Sequence, residues 1–433
     1  MIFKLANKTF YKRHILEINK YIVFDDFFHI VSHNLKDKFF SKSPNCGFIS
    51  KDGHIVNFKS NYDIILLTDV VENHPNVFGL FDEVANSLNN NGKLVISTFN
   101  SKYKLIIRLL EILKLKESSV KYSFIQRKKI NNIIRGLGFE EVSYHTRQIF
   151  PFHVFGLGTF LNLFLETFLN YFKLGIMTYS VYRIQNFEDT KSKKTVIIPA
   201  KNEEGNLEPL INRIPKKEKY EILISCGESS DDTLKVANKI KNEENFFEVK
   251  VLEQSKTGKA NAVWEAAELA GGEILAILDA DISVDPETLP KFFEIIDNNH
   301  ADFVNGTRLI YPMEKGSMRS INHFGNRVFQ FIVGKIINRP LSDSLCGTKV
   351  FRKELFKKIL YWQEISKVRD PFGDFDLLFT AAFTGEKIIE YPIHYRARQY
   401  GVTQISRFKD GYKLIKYLIY SYFLFNTSKY YDL

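Results

Sequence analysis

Cysteine is scarce, with three in 433 residues. Cys46, Cys226 and Cys346 stand far apart and follow no metal or redox spacing, which excludes a disulfide framework and a thiolate zinc site and points to a reducing cytosol. Long apolar runs are missing too. No stretch reaches the roughly 20 residues of a membrane-spanning helix, and the start, Met1 to Lys8, has no signal-peptide core. Glycine is absent until Gly47, so no glycine-rich loop that lets backbone approach a ligand closely can lie near the start. Single-sign charge blocks are lacking as well. The 60 Lys+Arg and 50 Asp+Glu leave a net +10 that is dispersed along the chain. That surplus suits an anionic partner such as a nucleotide or a membrane surface, while no recognition module for nucleic acid is present. His29 and His33, four apart as on one helix face, have no partnering acid or third ligand, and a metal site there is not expected.

What is present is the material of a two- or three-domain α/β protein, with 45% hydrophobic residues. A charged connector, Glu188 to Lys194, separates two halves. After it, strand and helix patterns alternate: strands at 195–200, 220–225, 249–252 and 274–278, and helices at 206–213, 231–241 and 259–270. Such alternation implies right-handed βαβ units and a parallel sheet, with the ligand site at the strand carboxyl ends. In the first half the pattern predicts a strand over 62–69, a helix over 77–89, a turn at 89–92 and a strand over 92–98.

Each strand end of the second half carries a polar cluster. Pro199-Ala200-Lys201-Asn202-Glu203-Glu204 follows the first strand. Cys226-Gly227-Glu228-Ser229-Ser230-Asp231-Asp232-Thr233 follows the second, with Asp231 or Ser230 suited to capping a helix. Thr257-Gly258-Lys259 opens a helix whose amino end and lysine make an anion site. Asp279-Ala280-Asp281 ends an apolar run. Alone, such a pair of carboxylates reads as a solvated turn. Beside three other strand-end clusters it reads as a site where Mg²⁺ or Mn²⁺ is held with a diphosphate.

In order, VIIPAKNEEGNL, SSDDT, TGKANAV, LDADISVDPETL, NGTR, DSLCGTKVF and YRARQYGVTQ make residues 195–410 resemble family 2 inverting glycosyltransferases of GT-A fold, of the dolichyl-phosphate mannosyltransferase-like branch. The resemblance implies metal-dependent transfer of a sugar from a nucleotide donor, with inversion. It implies that Pro199, Asn202, Glu203 and Gly227 border the nucleoside and that Lys259 faces the diphosphate. Asp279, Asp281 and Ser283 are implied to hold the metal, and Arg308 and Arg398 to contact phosphates. Asp374 sits where relatives acting on hydroxyls place a catalytic acid, and equally reads as a capping aspartate before a helix over 377–383. Two departures stand out. Cys226-Gly227 replaces the acidic residue usual after the second strand. Gln404 stands where a lysine is common, with Arg396 and Arg407 as candidate substitutes. The acceptor is expected to be a polyprenyl-phosphate-type lipid, in bacterial envelope or polysaccharide assembly. A glycan or lipid hydroxyl, a bifunctional methyl- and glycosyltransferase and a non-catalytic scaffold are the alternatives.

Residues 60–150 resemble the later part of a class I methyltransferase, through YDIILLTDVVENHPN, the strand Gly92 to Asn100 and the segment Gly136 to Val142. The loop that cradles S-adenosylmethionine is expected after a first strand at 21–28, where Phe27 and Phe28 would obstruct it. A degenerate domain is therefore expected, with Asp69 and Glu72 as ordinary strand-end residues. The reading gives a methyltransferase-like domain over 1–187, a linker over 188–194, a GT-A domain over 195–410 and an amphipathic tail over 411–433. Asn162, Glu166 and Asn170 form a narrow polar stripe in the otherwise apolar 160–172, and 414–425 is rich in tyrosine between lysines. Each segment fits either a bilayer interface or a packed core. Together they suggest a cytoplasmic enzyme peripheral to the inner face of a membrane.

Overall fold

The computed structural model describes residues 61–112, 124–150, 157–169, 172–185, 192–312, 320–398 and 407–426, with isolated positions at 314 and 400–401 and short runs among the first sixty. It divides into two units, Met1–Asn186 with Asn426–Leu433, and Phe187–Phe425.

The first unit holds strands β1 (Phe27–Val31), β2 (Cys46–Ile49), β3 (Ile55–Val56), β4 (Tyr62–Thr68), β5 (Leu88–Phe99), β6 (Phe139–Arg147) and β7 (Met177–Ile184) in the order β3-β2-β1-β4-β5-β7-β6. β2, β1, β4 and β5 are parallel, and β7 runs antiparallel to both β5 and β6. Helices α1 (Val77–Ala85), α2 (Lys104–Ile112), α3 (Arg127–Gly136) and α4 (Leu157–Leu169) complete it. Because side chains alternate along a strand, the apolar run of β4 feeds two cores. Ile65 and Leu67 pack with Phe81, Val84 and Ile134, while Ile64 and Leu66 pack with Val95 and Tyr179. A strand buried on both faces has this continuous apolar pattern.

Several expectations change here. β1 begins at Phe27, so Phe27 and Phe28 are strand residues paired with Ile64 and Ile65, and do not obstruct a loop. Their aromatic, β-branched continuation to Val31 suits a strand better than a turn. The segment after β1, residues 32–45, lies outside the described residues, as does His33. His29 is on this strand, not a helix, and its Nε2 meets Thr68 Oγ1 at 2.6 Å. Helix α1 stops at Ala85, and 89–92 belongs to β5, with the irregularity appearing as a register shift opposite Tyr62 and Ile64. Asp69 and Glu72, expected as ordinary strand-end residues, lie just after β4 but in an unusual setting. Both are buried, Asp69 adopts φ +53°, and Glu72 accepts from Phe99 N at 2.7 Å. Burial, then the Asp69 charge, pushes the Glu72 carboxyl up to about 8. In α4 Asn162 and Glu166 of the polar stripe are buried, Phe160 and Phe164 are exposed, and Asn170 lies outside the described residues.

The second unit is a mixed sheet with the order β10-β9-β8-β11-β13-β12-β14. Its strands are β8 (Lys194–Ala200), β9 (Glu221–Cys226), β10 (Glu248–Glu253), β11 (Ile274–Ile277), β12 (Phe303–Thr307), β13 (Lys349–Arg352) and β14 (Ile388–Pro392). The helices are α5 (Glu204–Arg213), α6 (Thr233–Glu243), α7 (Lys259–Leu269), α8 (Leu289–Asp297), α9 (Ser320–Ile336), α10 (Glu354–Ser366), α11 (Asp374–Phe383) and α12 (Arg407–Asn426). The four strands expected from the alternation run parallel, β12 and β14 also pair parallel, and β13 runs antiparallel to β11 and β12. A purely parallel sheet is thus corrected to a mixed one. From β8 the chain winds outward through β9 and β10, then returns to β11 on the other side of β8. Such a reversal opens a crevice outside the strand carboxyl ends. α12 has a buried and an exposed side: Leu414, Tyr417 and Leu418 are buried, while Tyr412, Ile415 and Ile419 are exposed. No helix among the described residues is long and apolar enough to cross a membrane.

Candidate active site

The crevice is assembled from the turns that follow β8, β9 and β11 and the segment before β13. After β8, Asn202 takes φ +55°, a conformation asparagine tolerates. Its Oδ1 accepts from Ser230 N at 2.7 Å, and its own N donates to Ser229 Oγ at 3.1 Å, which ties the first turn to the second. Asp231 reinforces the tie by accepting from Thr233 N and Glu204 N, so it serves the starts of both α6 and α5. Ser230 is used differently and caps nothing. Gly227 N donates to Ala200 O at 2.9 Å, and a Cβ there would lie 2.9 Å from Gln254 Oε1. Pro199 sits in β8 opposite Ser225. Glu203 is buried, accepts from Asn206 Nδ2 at 2.5 Å and faces Arg398 at 4.0 Å. Burial, with smaller pushes from Asp281 and Asp279, raises its pKa against the opposing Asn206 and Arg398.

At the end of β11, Lys259 Nζ reaches Asp279 Oδ1 at 2.5 Å, and Arg398 Nη2 reaches Asp281 Oδ2 at 2.6 Å. Burial works to raise the Asp279 carboxyl, but Lys259, Lys349 and Arg308 outweigh it and hold the group below the usual carboxylate range. Burial likewise opposes the charge on Lys259, and Asp279 and Asp374 overcome it, so the ammonium is held more firmly than usual. Between the aspartate and the serine, Ile282 adopts φ +54°. A β-branched residue is strained there by about 1–3 kcal/mol. The bend lets Ser283 N donate back to Asp281 Oδ1 at 3.1 Å, while the Ser283 carbonyl accepts from Arg396 N. The donor set suits Mg²⁺ or Mn²⁺: two partly exposed carboxylates offer hard oxygens. A Cβ on Gly347 would come within 2.1 Å of Asp279 Oδ2, so glycine there leaves the carboxylate room.

The floor joins Arg308 and Asp374 to groups that the sequence did not single out, Asp343, Lys349, Asp370 and Asp376. Arg308 forks onto Asp343, Nε to Oδ2 at 2.7 Å and Nη2 to Oδ1 at 2.9 Å. Its guanidinium is therefore engaged with a buried carboxylate, and it acts on Asp279 through its charge. Lys349 is buried, with Nζ 3.1 Å from Asp374 Oδ1. Asp374 is the first residue of α11, but it is not the cap. Asp370 performs that task, accepting from Phe372 N at 3.0 Å and Phe375 N at 2.6 Å. This corrects the capping reading of Asp374. Farther in, Asp376 accepts from Tyr417 Oη and, at 2.7 Å, from Gln363 Nε2, while Trp362 Nε1 donates to Tyr417 Oη at 2.6 Å. Burial first, then neighbouring carboxylates, pushes Asp370 up to about 6 and Asp376 up to about 8. Arg396 is engaged with Asp285, with Nη2 to Oδ2 at 3.0 Å. Gln404 and Thr403 lie outside the described residues.

A doubly wound sheet with paired carboxylates, a lysine and an arginine at its switch point defines a class: α/β domains that bind phosphorylated nucleotides at strand ends. The family follows from the sequence comparison. Residues 195–360 match the family described as Glycosyl transferase family 2, and residues 13–144 match a Methyltransferase domain. The second unit thus carries a Glycosyl transferase family 2 match and the first a Methyltransferase domain match. A dolichol-phosphate mannosyltransferase of Pyrococcus furiosus is 28% identical over 53% of this chain and 63% of its own length. A dolichyl-phosphate hexose transferase of Haloferax volcanii is 29% identical over 54% of this chain and 95% of its own. The chain thus spans less than two thirds of the Pyrococcus protein. Glucosyl-3-phosphoglycerate synthase of Mycobacterium tuberculosis superposes with a TM-score of 0.40 at 16% identity, over 53% of this chain and 80% of its own.

Proposed function

We propose that the second unit transfers a sugar, with inversion and with the help of a divalent cation, from a nucleoside diphosphate donor to a polyprenyl-phosphate-type lipid. The observation that carries this reading is the convergence of Asp279, Asp281, Lys259 and Arg398 at one strand-end crevice. The relatives named for transfer to dolichyl phosphate support it. Asp279 and Asp281 would hold the cation, with Ser283 beside them. When bound, it supplies charge against that building on the departing diphosphate. Lys259 and the amino end of α7 add fixed positive potential where donor phosphates would lie. Asn202, Glu203, Pro199 and Gly227 form the wall for the nucleoside.

The acceptor assignment rests on Asp374. A hydroxyl acceptor needs a general base, and a carboxylate paired with buried Lys349 is a poor one. A phosphate acceptor is already ionised and needs none. The inner membrane face is the location at which such a lipid is met. In the same reading the methyltransferase-like unit does not transfer methyl groups, and S-adenosylmethionine is not a cofactor.

Calorimetric titration of nucleoside diphosphates, with and without Mn²⁺, tests the donor site. One nucleotide should bind in a Mn²⁺-dependent manner to the wild type, and Asp281→Ala should lose that binding. Unchanged binding in the variant would sink the assignment. Radiolabel transfer to polyprenyl phosphate, retained in Asp374→Asn, would then support the phosphate acceptor. Loss of transfer with donor binding intact would instead favour a hydroxyl acceptor.

A further inference from the structure

We infer that α2 and α4 of the first unit form a docking surface for an anionic lipid bilayer, separate from the sugar-transfer site. The starting observation is that α4 is inside out. Asn162 and Glu166 are turned inward and clamp the chain after β6. Asn162 accepts from Phe150 N and donates to Phe150 O, both at 2.7 Å, and Glu166 accepts from Gln148 N at 2.6 Å. Phe160 and Phe164 point outward, 66% and 59% exposed. Folding in water normally produces the opposite arrangement, because each exposed aromatic forgoes the gain from leaving water.

α2 also exposes apolar side chains. Ile107 is buried, whereas Leu105 is 82% and Ile112 76% exposed, with Ile106 and Leu109 exposed between them. Positions 105, 109 and 112 fall on one face of a helix. The start of α2 is tied to the chain just beyond α4: Lys102 Nζ donates to Phe172 O at 2.9 Å and Tyr103 Oη to Leu174 O at 2.5 Å. Phe172, at that junction, is itself exposed. Exposed apolar side chains concentrated on two elements of one unit mark an interaction site.

The charges select the partner. Lys102 and Lys104 are exposed at the start of α2, and Arg108 flanks its apolar face. The acid of α4, Glu166, is taken out of play by burial. A helix with aliphatic and aromatic side chains on one face and cations at its edge lies in the bilayer interface, with the cations at the level of the lipid phosphates. A second copy of the chain fits less well. A two-fold contact sets the same patch against itself and would bring the Lys102 and Lys104 cations together. The net +10 of the whole chain adds attraction to an anionic surface.

The test uses the full chain and sedimentation with vesicles of phosphatidylcholine alone or mixed with phosphatidylglycerol. Wild type should partition to the mixed vesicles, less so at high salt. Leu105→Asp with Phe160→Asp should weaken partitioning by about tenfold or more. Lys102→Glu with Lys104→Glu should weaken it on mixed vesicles and leave the weak binding to neutral vesicles unchanged. All these side chains are exposed, and circular dichroism melts should confirm that the variants fold. Nucleoside diphosphate binding should be unaltered in every variant, which keeps this surface distinct from the donor site. Wild-type partitioning by both variants would overturn the inference. So would a wild-type dimer, seen by analytical ultracentrifugation, that Leu105→Asp dissociates, because the face would then belong to a second copy.

Discussion

Gly347 has no side chain, and Asp279 and Lys259 occupy the space one would need. A Cβ there would lie 2.1 Å from Asp279 Oδ2 and 2.6 Å from Lys259 Nζ. Overfilling a packed site costs about 1–3 kcal/mol, and here the cost falls on the two side chains proposed to organise the diphosphate. Gly347→Ala should therefore weaken nucleoside diphosphate binding by about tenfold or more, the equivalent of about 1.4 kcal/mol, and shift the melting midpoint little. Calorimetry on the variant checks this, and wild-type affinity would remove Asp279 from the site. The aspartates and Lys259 were legible because each stands in a recognisable strand-end cluster, and Arg398 only through the motif resemblance. The sequence did not show Asp343 beneath Arg308, Lys349 beside Asp374, or the strain at Ile282. Those arrangements depend on contacts between distant segments or on local backbone geometry, and neither leaves a periodic signal.

At the scale of elements, α11 and α12 meet through a buried polar bond. Tyr417 of α12 donates to Asp376 of α11, two residues past Asp374. The apolar, tyrosine-rich 414–425 fitted either a bilayer interface or a packed core, and a buried aspartate on α11 as its partner was not legible, since such a group needs its neighbours to be tolerable. Burial pushes the Asp376 carboxyl up to about 8, so near neutral pH the folded state holds a proton that the unfolded chain has released. Stability that is fully present below the ordinary carboxylate pKa is lost as pH rises through about 8. The two tryptophans, Trp264 and Trp362, both lie in the second unit, so their fluorescence follows its unfolding alone. The urea midpoint read this way should fall between pH 6 and pH 9 in the wild type. Asp376→Asn, which cannot ionise, should flatten that fall. An equal fall in the variant would show that another group sets the slope.

Across the whole molecule, the two units carry separate sheets and separate cores. Residues such as Ile198, Ile224 and Leu278 build one, and Ile65, Phe81 and Leu94 build another. The alternation of strand and helix after the charged connector made the second unit readable at this scale. The first was readable only from Tyr62 onward, because its leading strand is short and its buried histidines, His14 and His29, look like surface residues in the sequence. Burial pushes both histidines down to about 3, and the polar cluster they share with Asp69 and Glu72 is sealed from water. A ligand that binds only the native state stabilises it by about 2.7 kcal/mol at a hundred times its dissociation constant. Nucleoside diphosphate with Mn²⁺ should therefore slow amide exchange in β8, β9 and β11, whose ends carry the proposed site. S-adenosylmethionine should leave β1, β4 and β5 unprotected if the first unit has no cofactor role. Hydrogen exchange by mass spectrometry reads both responses in one chain. Protection of β4 and β5 by S-adenosylmethionine would return the first unit to the methyltransferases, and protection by the nucleotide confined to β8, β9 and β11 would locate donor binding at the crevice.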